Sequence, residues 1–318
     1  MNILFVTATR IGDAVLSTGL LSHLLDSNPG ARVTIACGAP AAPLFGGVPG
    51  LDRLIVIEKW PFHLHWLALW QACIGTRWDV AVDLRGSALT RLLRAKRRIV
   101  MPYRENDLHR VVELGRMAGL EPPPAPALWL SDAARDRAAA LVPDGSPVLG
   151  VGPTANWSGK QWPADRFAGL AARATAADGL LPGARVAVFG APSERQMAAP
   201  VLDAIPDDRR IDLVGEPLDV AAACLARAVA FVGNDSGLMH VAAAAGVPTL
   251  GLFGPSPDAR YGPWGPHCRV ARTPESYRDL VTAPDFDHRS QKSLMTSLTV
   301  DAAYAALADL YANVKNVS

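Results

Sequence analysis

Cysteine is scarce. Four thiols (Cys37, Cys73, Cys224, Cys268) are scattered through 318 residues, with no CxxC pair and no metal-ligand spacing. That argues against a disulfide framework or a zinc module, and leaves free buried thiols in a reducing compartment as the expectation. Net charge is scarce too: the formal value is +1 at pH 7, which argues against a general nucleic-acid binder, so no nucleic-acid partner is expected. No stretch reaches the ~18 consecutive apolar residues of a membrane span. The opening MNILFVTATRIGD lacks the basic start and the long apolar run of a signal peptide. The expected location is the cytoplasm, or the cytoplasmic face of a membrane as a peripheral protein. Glycine fingerprints are missing as well. GPTANWSGKQ has Thr154 where a phosphate-binding Walker loop needs glycine, and Gln161 where it needs Ser or Thr after Lys160. It is not GxGxxG either, which disfavours a nicotinamide cofactor.

What is present is a rhythm. Half the residues are hydrophobic, enough for a sizeable core, and the length suggests roughly two domains. ILFVTA, ARVTIACG, LDRLIVIE and WDVAVDLRG read as strands, with helical spacing in between. RRIVMPY is a further candidate strand and VVELGRMAGL a helix. The Pro-rich EPPPAPALWLSD interrupts the alternation, which then restarts with PVLGVGP, ARVAVFG, RIDLVG, AVAFVG and PTLGLFG. Short apolar strands alternating with helices predict an α/β fold with parallel sheets. The expectation is two doubly wound, Rossmann-like domains facing across a cleft. They cover residues 1–143 and 144–300, and a last helix at 301–318 packs back on the first domain.

Ligands of open α/β sheets bind beyond the carboxyl ends of the strands, so the residues there are the site candidates. After AVAFVG come Asp235, Ser236, Gly237 and, about one turn on, His240. A helix start offers unpaired N–H groups to a phosphate, and glycine permits close approach. Taken alone, Asp235 or Ser236 could equally be a helix cap. Thr154 and Lys160 follow PVLGV, and Lys160 can pair with phosphate. Glu194, in GAPSE, could hold ribose hydroxyls or simply stabilise a first turn. Asp13, in the first strand-to-helix turn, could cap that helix or accept a proton from a hydroxyl nucleophile.

Three further segments carry less. The DFD at residues 285–287 and the pair His63 and His65 are weak metal candidates, and no metal or cofactor is expected. Trp60, Phe62, Trp66, Trp70 and Trp78 crowd one stretch, and read either as packing or as a headgroup interface. In RLLRAKRR, the bases read as solvated charges on a helix face or as contacts to phosphate or anionic lipid.

The ordered set is more specific than its parts. GD in the first turn, K-x-W-P opening the second domain, GAPxE, D-S-G-x-x-H-x-A-A-A, GxP and a GPxxP-like segment run through nearly the whole chain. Together they resemble the ADP-heptose:lipopolysaccharide heptosyltransferase family, glycosyltransferase family 9, whose fold is GT-B. The resemblance implies inverting, metal-independent transfer of a heptose from ADP-heptose to a lipid-linked saccharide acceptor at the inner membrane. It implies Asp13 as general base, and Thr154 and Lys160 at the phosphates, with Lys160 also near the sugar. Glu194 falls at the ribose, Asp235 at a sugar hydroxyl, Ser236 and Gly237 at the phosphate-binding helix start, and His240 in the same pocket. Arg85, Arg91, Arg94, Arg97 and Arg98 become acceptor-side candidates. A transferase or epimerase of the same fold using another nucleotide sugar stays open, as does a nucleotide-binding relative without activity.

Overall fold

The computed structural model describes residues 1–58, 60–101, 108–284, 286–290 and 292–315. The chain divides into two compact units, Met1–Ser131 and Asp132–Ser318.

The first unit runs β1 (Asn2–Val6), α1 (Ile11–Asp26), β2 (Arg32–Cys37), β3 (Leu51–Val56), α2 (Leu64–Ile74), β4 (Trp78–Asp83), β5 (Ala95–Val100) and α3 (Arg110–Ala118). Its five strands are all parallel in the order β3-β2-β1-β4-β5. β1, β2 and β4 are almost wholly buried, which is why they read as continuous apolar runs rather than alternating ones. Under the sheet lie Leu4, Val6, Leu69, Cys73, Trp78 and Leu93.

The second unit contains α4 (Asp132–Leu141), β6 (Val148–Gly152), α5 (Ala164–Thr175), β7 (Arg185–Gly190), α6 (Arg195–Ala204), β8 (Arg210–Val214) and α7 (Leu218–Leu225). It continues with β9 (Ala230–Asn234), α8 (Gly237–Ala244), β10 (Thr249–Phe253), α9 (Asp258–Tyr261), β11 (Cys268–Arg272), α10 (Tyr277–Val281) and α11 (Val300–Lys315). Its strand order is β11-β10-β9-β6-β7-β8, again parallel. Both orders are the doubly wound one, so the strand order reverses between β1 and β4 in one unit and between β6 and β9 in the other.

Three expectations are corrected. The division falls at 131/132 rather than 143/144. Helix α4 buries Ala134 and Ala138 and packs on α7, and Arg137 pairs with Glu216 at 2.9 Å. Those contacts place the helix in the second unit although the linker-like PDGSP follows it. The last helix likewise belongs to the second unit. Ala303, Leu307 and Leu310 enter its core, and Arg173 pairs with Asp301 at 2.5 Å. Third, RLLRAKRR is no helix face. Its second half is the edge strand β5, and residues 89–92 form one 3-10 turn before it. Lys and Arg on an edge strand deter pairing with another chain. Of RRIVMPY, Pro102 and Tyr103 lie outside the described residues.

The four cysteines are free and buried, as expected. Burial pushes the thiols of Cys37 and Cys268 up to about 12, and those of Cys73 and Cys224 up to about 11, so none is a poised nucleophile.

Candidate active site

In the second unit the switch-point strands end side by side, with Gly152 of β6 in register with Gly233 of β9. A Cβ on either glycine would stand 2.7 Å from the Phe231 ring. The aromatic therefore packs tightly against a floor of bare backbone at the strand ends. The next residue, Asn234, is wholly buried. Its amide Nδ2 donates to Pro153 O at 2.8 Å, and its Oδ1 accepts from the Trp162 N–H at 3.0 Å. One side chain thus ties the end of β9 to both ends of the loop that carries Thr154 and Lys160.

That loop is braced from elsewhere in the same unit. Trp162 is buried and its indole donates to Leu298 O at 2.8 Å. Leu294 N–H donates to Gly159 O at 3.0 Å, and Ser293 Oγ to Gln161 O at 2.5 Å. Trp157 donates to His288 O at 3.0 Å and meets the Phe286 ring edge-on. Lys160 Nζ so reaches Asp235 Oδ2 at 2.5 Å, with Asp235 only 7% and Lys160 24% exposed. A lysine held this way keeps two further N–H donors for a ligand.

Neither candidate cap is a cap. Asp235 is committed to Lys160, and Ser236, which stands at the cap position of α8, makes no side-chain bond to the helix. The Ser236 Oγ is buried and without a hydrogen-bond partner among the described residues. The start of α8 therefore keeps its partial positive charge uncompensated by its cap. His240 is buried in the first turn. The helix ends as Gly246 suggests: φ is +79°, and the N–H groups of Gly246 and Val247 return to Ala243 O and Ala242 O.

Glu194 Oε2 accepts from Thr154 Oγ1 and from the Ala191 N–H, both at 2.8 Å. The carboxylate serves its own turn and is also aimed by Thr154. A Cβ at Gly190 would stand 3.5 Å from Glu194 Oε2, 3.6 Å from Thr154 Cγ2 and 3.6 Å from Val214 Cγ1, so these residues converge at the ends of β7 and β8. Thr154 is 2% exposed with its hydroxyl proton spent on Glu194. Its side chain positions the glutamate.

In the first unit, Asp13 lies in the first turn of α1, partly exposed, with no hydrogen bond or ion pair among the described residues. Its loop is seated by Thr7 Oγ1 against Ser17 Oγ at 2.7 Å. Across the switch point β4 ends in Asp83, which is wholly buried. The Asp83 carboxylate accepts from Arg85 N–H at 2.9 Å, Ser87 N–H at 3.0 Å and Ser87 Oγ at 2.6 Å. Burial nevertheless pushes its pKa above the ordinary carboxylate value, against the pull of those bonds.

The five arginines separate. Arg85 reaches Thr9 Oγ1 at 3.2 Å and lies over the Trp66 ring, beside the loop that carries Asp13. Arg97 and Arg98 sit in mid-strand, in register with Val80 and Ala81, and Arg94 precedes the strand. They are displaced from the carboxyl ends where a ligand of the sheet binds. Arg98 donates to the carbonyls of Thr90, Leu93 and Ala95 and braces its own turn and strand. Arg91 lies on the turn that packs against α2.

Asn234 and Asp83 were not singled out from sequence. The available signal was a polar residue closing an otherwise apolar strand.

Among the described residues no group of three or more His, Cys, Asp or Glu side chains converges to hold a metal ion. The His63 and His65 rings stand 5.8 Å apart on the surface, Asp287 accepts from the Arg289 N–H, and Asp285 lies outside the described residues. Two surface concavities, of about 350 and 410 Å³, are lined by residues such as Pro147 and Val148, and Asn2 and Arg32. Those residues are at the amino ends of the strands, the wrong end for ligands of a parallel sheet.

Residues 65–287 match the sequence pattern of glycosyltransferase family 9 (heptosyltransferase). Lipooligosaccharide heptosyltransferase 2 of Haemophilus influenzae is 30% identical over 52% of this chain and 48% of its own length. The lipopolysaccharide heptosyltransferase 2 of Salmonella typhimurium is 26% identical over 88% of this chain and 90% of its own. The structure of E. coli ADP-heptose lps heptosyltransferase II superposes with a TM-score of 0.75 at 23% identity, covering 99% of this chain and 100% of that one.

Proposed function

Because the chain belongs to glycosyltransferase family 9 (heptosyltransferase), we propose that it transfers a heptose from ADP-heptose to a hydroxyl of a lipopolysaccharide core acceptor, with inversion and without a metal ion. The observation that carries this reading is the Lys160–Asp235 pair at the end of β9, beside a helix start whose cap side chain makes no bond to the helix.

The acceptor O–H gives its proton to the Asp13 carboxylate as its oxygen forms a bond to the anomeric carbon. The bond from that carbon to the distal phosphate oxygen breaks on the opposite face, and ADP leaves with the electron pair. Charge grows on the departing diphosphate. The Lys160 ammonium and the first N–H groups of α8 stabilise it, the task a metal ion performs in other transferases. Ser236 Oγ, buried and unpartnered, supplies a further donor. Asp235 aims Lys160 and offers its second oxygen to a sugar hydroxyl. Glu194, aimed by Thr154, takes the ribose hydroxyls. His240 closes the wall behind the phosphates.

Calorimetry with ADP and UDP, with and without magnesium, tests the donor, and turnover of ADP-heptose in the presence of EDTA tests the chemistry. The expected result is ADP preferred over UDP with no magnesium dependence. Preference for UDP, or activity only with magnesium, would remove the assignment.

A further inference from the structure

Helix α2 is a surface helix without a single Asp, Glu, Lys or Arg in LHWLALWQACI. Its inner face packs Leu69 and Cys73 into the core, with Trp66 and Trp70 against it. Its outer face repeats Leu64, Leu67, Gln71 and Ile74, all exposed, one stripe at helical spacing where a solvated helix carries charge. Leu64 is 49% and Leu67 51% exposed. Just before the helix Phe62 is 93% exposed, on a left-handed backbone (φ +53°) followed by a second left-handed residue, His63 (φ +59°). A bulky residue held in that conformation and pushed into water loses on both counts. On the neighbouring 3-10 turn Leu92, whose carbonyl accepts from the Trp70 indole at 3.4 Å, is 66% exposed.

The sequence on either side of this patch is rich in base, with Glu58 the acid just before it. Residues 60–77 and 84–100 contain no Asp or Glu, while the second stretch carries Arg85, Arg91, Arg94, Lys96, Arg97 and Arg98. Lys96 is paired with Asp79 and Arg98 is spent on carbonyls. Arg91 and Arg94, on either side of Leu92 and Leu93, are exposed and without an ion pair among the described residues.

We propose that this face, Phe62, Leu64 and Leu67 with Leu92, rimmed by Arg91 and Arg94, docks the protein on the surface of a bilayer containing anionic lipid. The apolar side chains enter the acyl boundary and the arginines meet the headgroup phosphates. The eleven residues of α2 make a helix of about 16 Å, short of the ~30 Å of a hydrocarbon core, so it lies on the membrane. A second copy of the chain fits worse. An isologous contact brings the same patch to itself and sets arginine rim against arginine rim. The inference deepens the proposed acceptor chemistry, a lipid-linked saccharide, but its test is independent of turnover.

The full-length protein is sedimented with phosphatidylcholine vesicles and with vesicles containing phosphatidylglycerol, at low and high salt. Binding to the anionic vesicles that weakens with salt is expected. The double variant Phe62→Ser/Leu67→Gln loses binding by about tenfold or more, and Arg91→Gln and Arg94→Gln lose about fivefold each. The Phe62→Ser/Leu67→Gln protein retains ADP binding by calorimetry, which shows that it is folded. No sedimentation of the wild type, or equal sedimentation of the apolar variant, overturns the proposal. So does a dimer in sedimentation velocity that this variant dissolves, which gives the face to a second copy. If the wild type fails to bind ADP yet sediments with vesicles, the donor assignment fails and the docking surface stands.

Discussion

The two units share a strand order and close the same strand in opposite ways. β4 and β9 each lie beside the first strand of their sheet, and each ends in a wholly buried polar residue, Asp83 or Asn234. The Asp83 carboxylate bonds to residues two to four positions on, among them Arg85 and Ser87. Asn234 bonds across the unit, to Pro153 and Trp162. The local device leaves neighbouring loops free of it, and Asp13 stands uncommitted nearby in the chain's first turn. The long-range device freezes two loops together and, with the 286–298 segment, delivers Lys160 to Asp235. A group that must accept a proton benefits from having no prior partner. Groups that must stabilise a growing charge benefit from being fixed beforehand. Under the proposed function the two units divide along that line.

The largest test of this contrast is Asp13→Asn. Loss of the proton acceptor is expected to lower kcat by about two to four orders of magnitude. The melting temperature should change little and the ADP affinity not at all, because the Asp13 side chain has no hydrogen bond or ion pair among the described residues. Turnover assays beside calorimetry read the split. Equal loss of rate and of ADP affinity would place Asp13 in donor binding and dissolve the contrast.

Lys160→Met should behave differently. A rate loss of about two to three orders of magnitude is expected from the missing cation. It should come with a stability loss of about 3 kcal/mol, since Asp235 is left as a buried charge without its partner. Adding Asp235→Asn should recover much of the stability and none of the rate, and a urea-melt mutant cycle measures the coupling. A stable but inactive Lys160→Met would show that the pair is not part of the frame.

Much of this was legible in the sequence because it is local. Apolar runs marked the strands, and Asp13, Lys160, Glu194 and Asp235 stand where runs end and helices begin. What stayed hidden depends on distant partners. Nothing in the sequence ties Thr154 to Glu194, forty residues on, whose carboxylate takes its hydroxyl proton. RLLRAKRR reads as a charged helix face although RRIVMPY reads as a strand, and pairing with β4 settles the overlap as the edge strand β5. Helix α4 belongs to the second unit through α7, far along the chain. The edge strand β11 carries two arginines in five residues and gives no apolar run to notice. At Ser236 no pattern in the sequence tells that its hydroxyl makes no cap bond and has no partner among the described residues.

The smallest effect concerns Asp83, where the local device is expected to show a pH signature. Burial raises its folded-state pKa above the ordinary carboxylate value. Between those two values the folded state binds more protons than the unfolded, so the contribution of Asp83 to stability falls as pH rises through the folded pKa. An asparagine has no such dependence. It keeps one acceptor oxygen for Ser87 and turns an amide N–H₂ toward donors, at a cost of about 1 kcal/mol. Asp83→Asn should therefore be most destabilising in acid and progressively less so toward neutral pH. Paired urea melts of wild type and variant across that range read the trend. A gap that widens with pH would mean that the hydrogen bonds from Arg85 and Ser87 outweigh burial, and that the first unit too is held by a fully compensated charge.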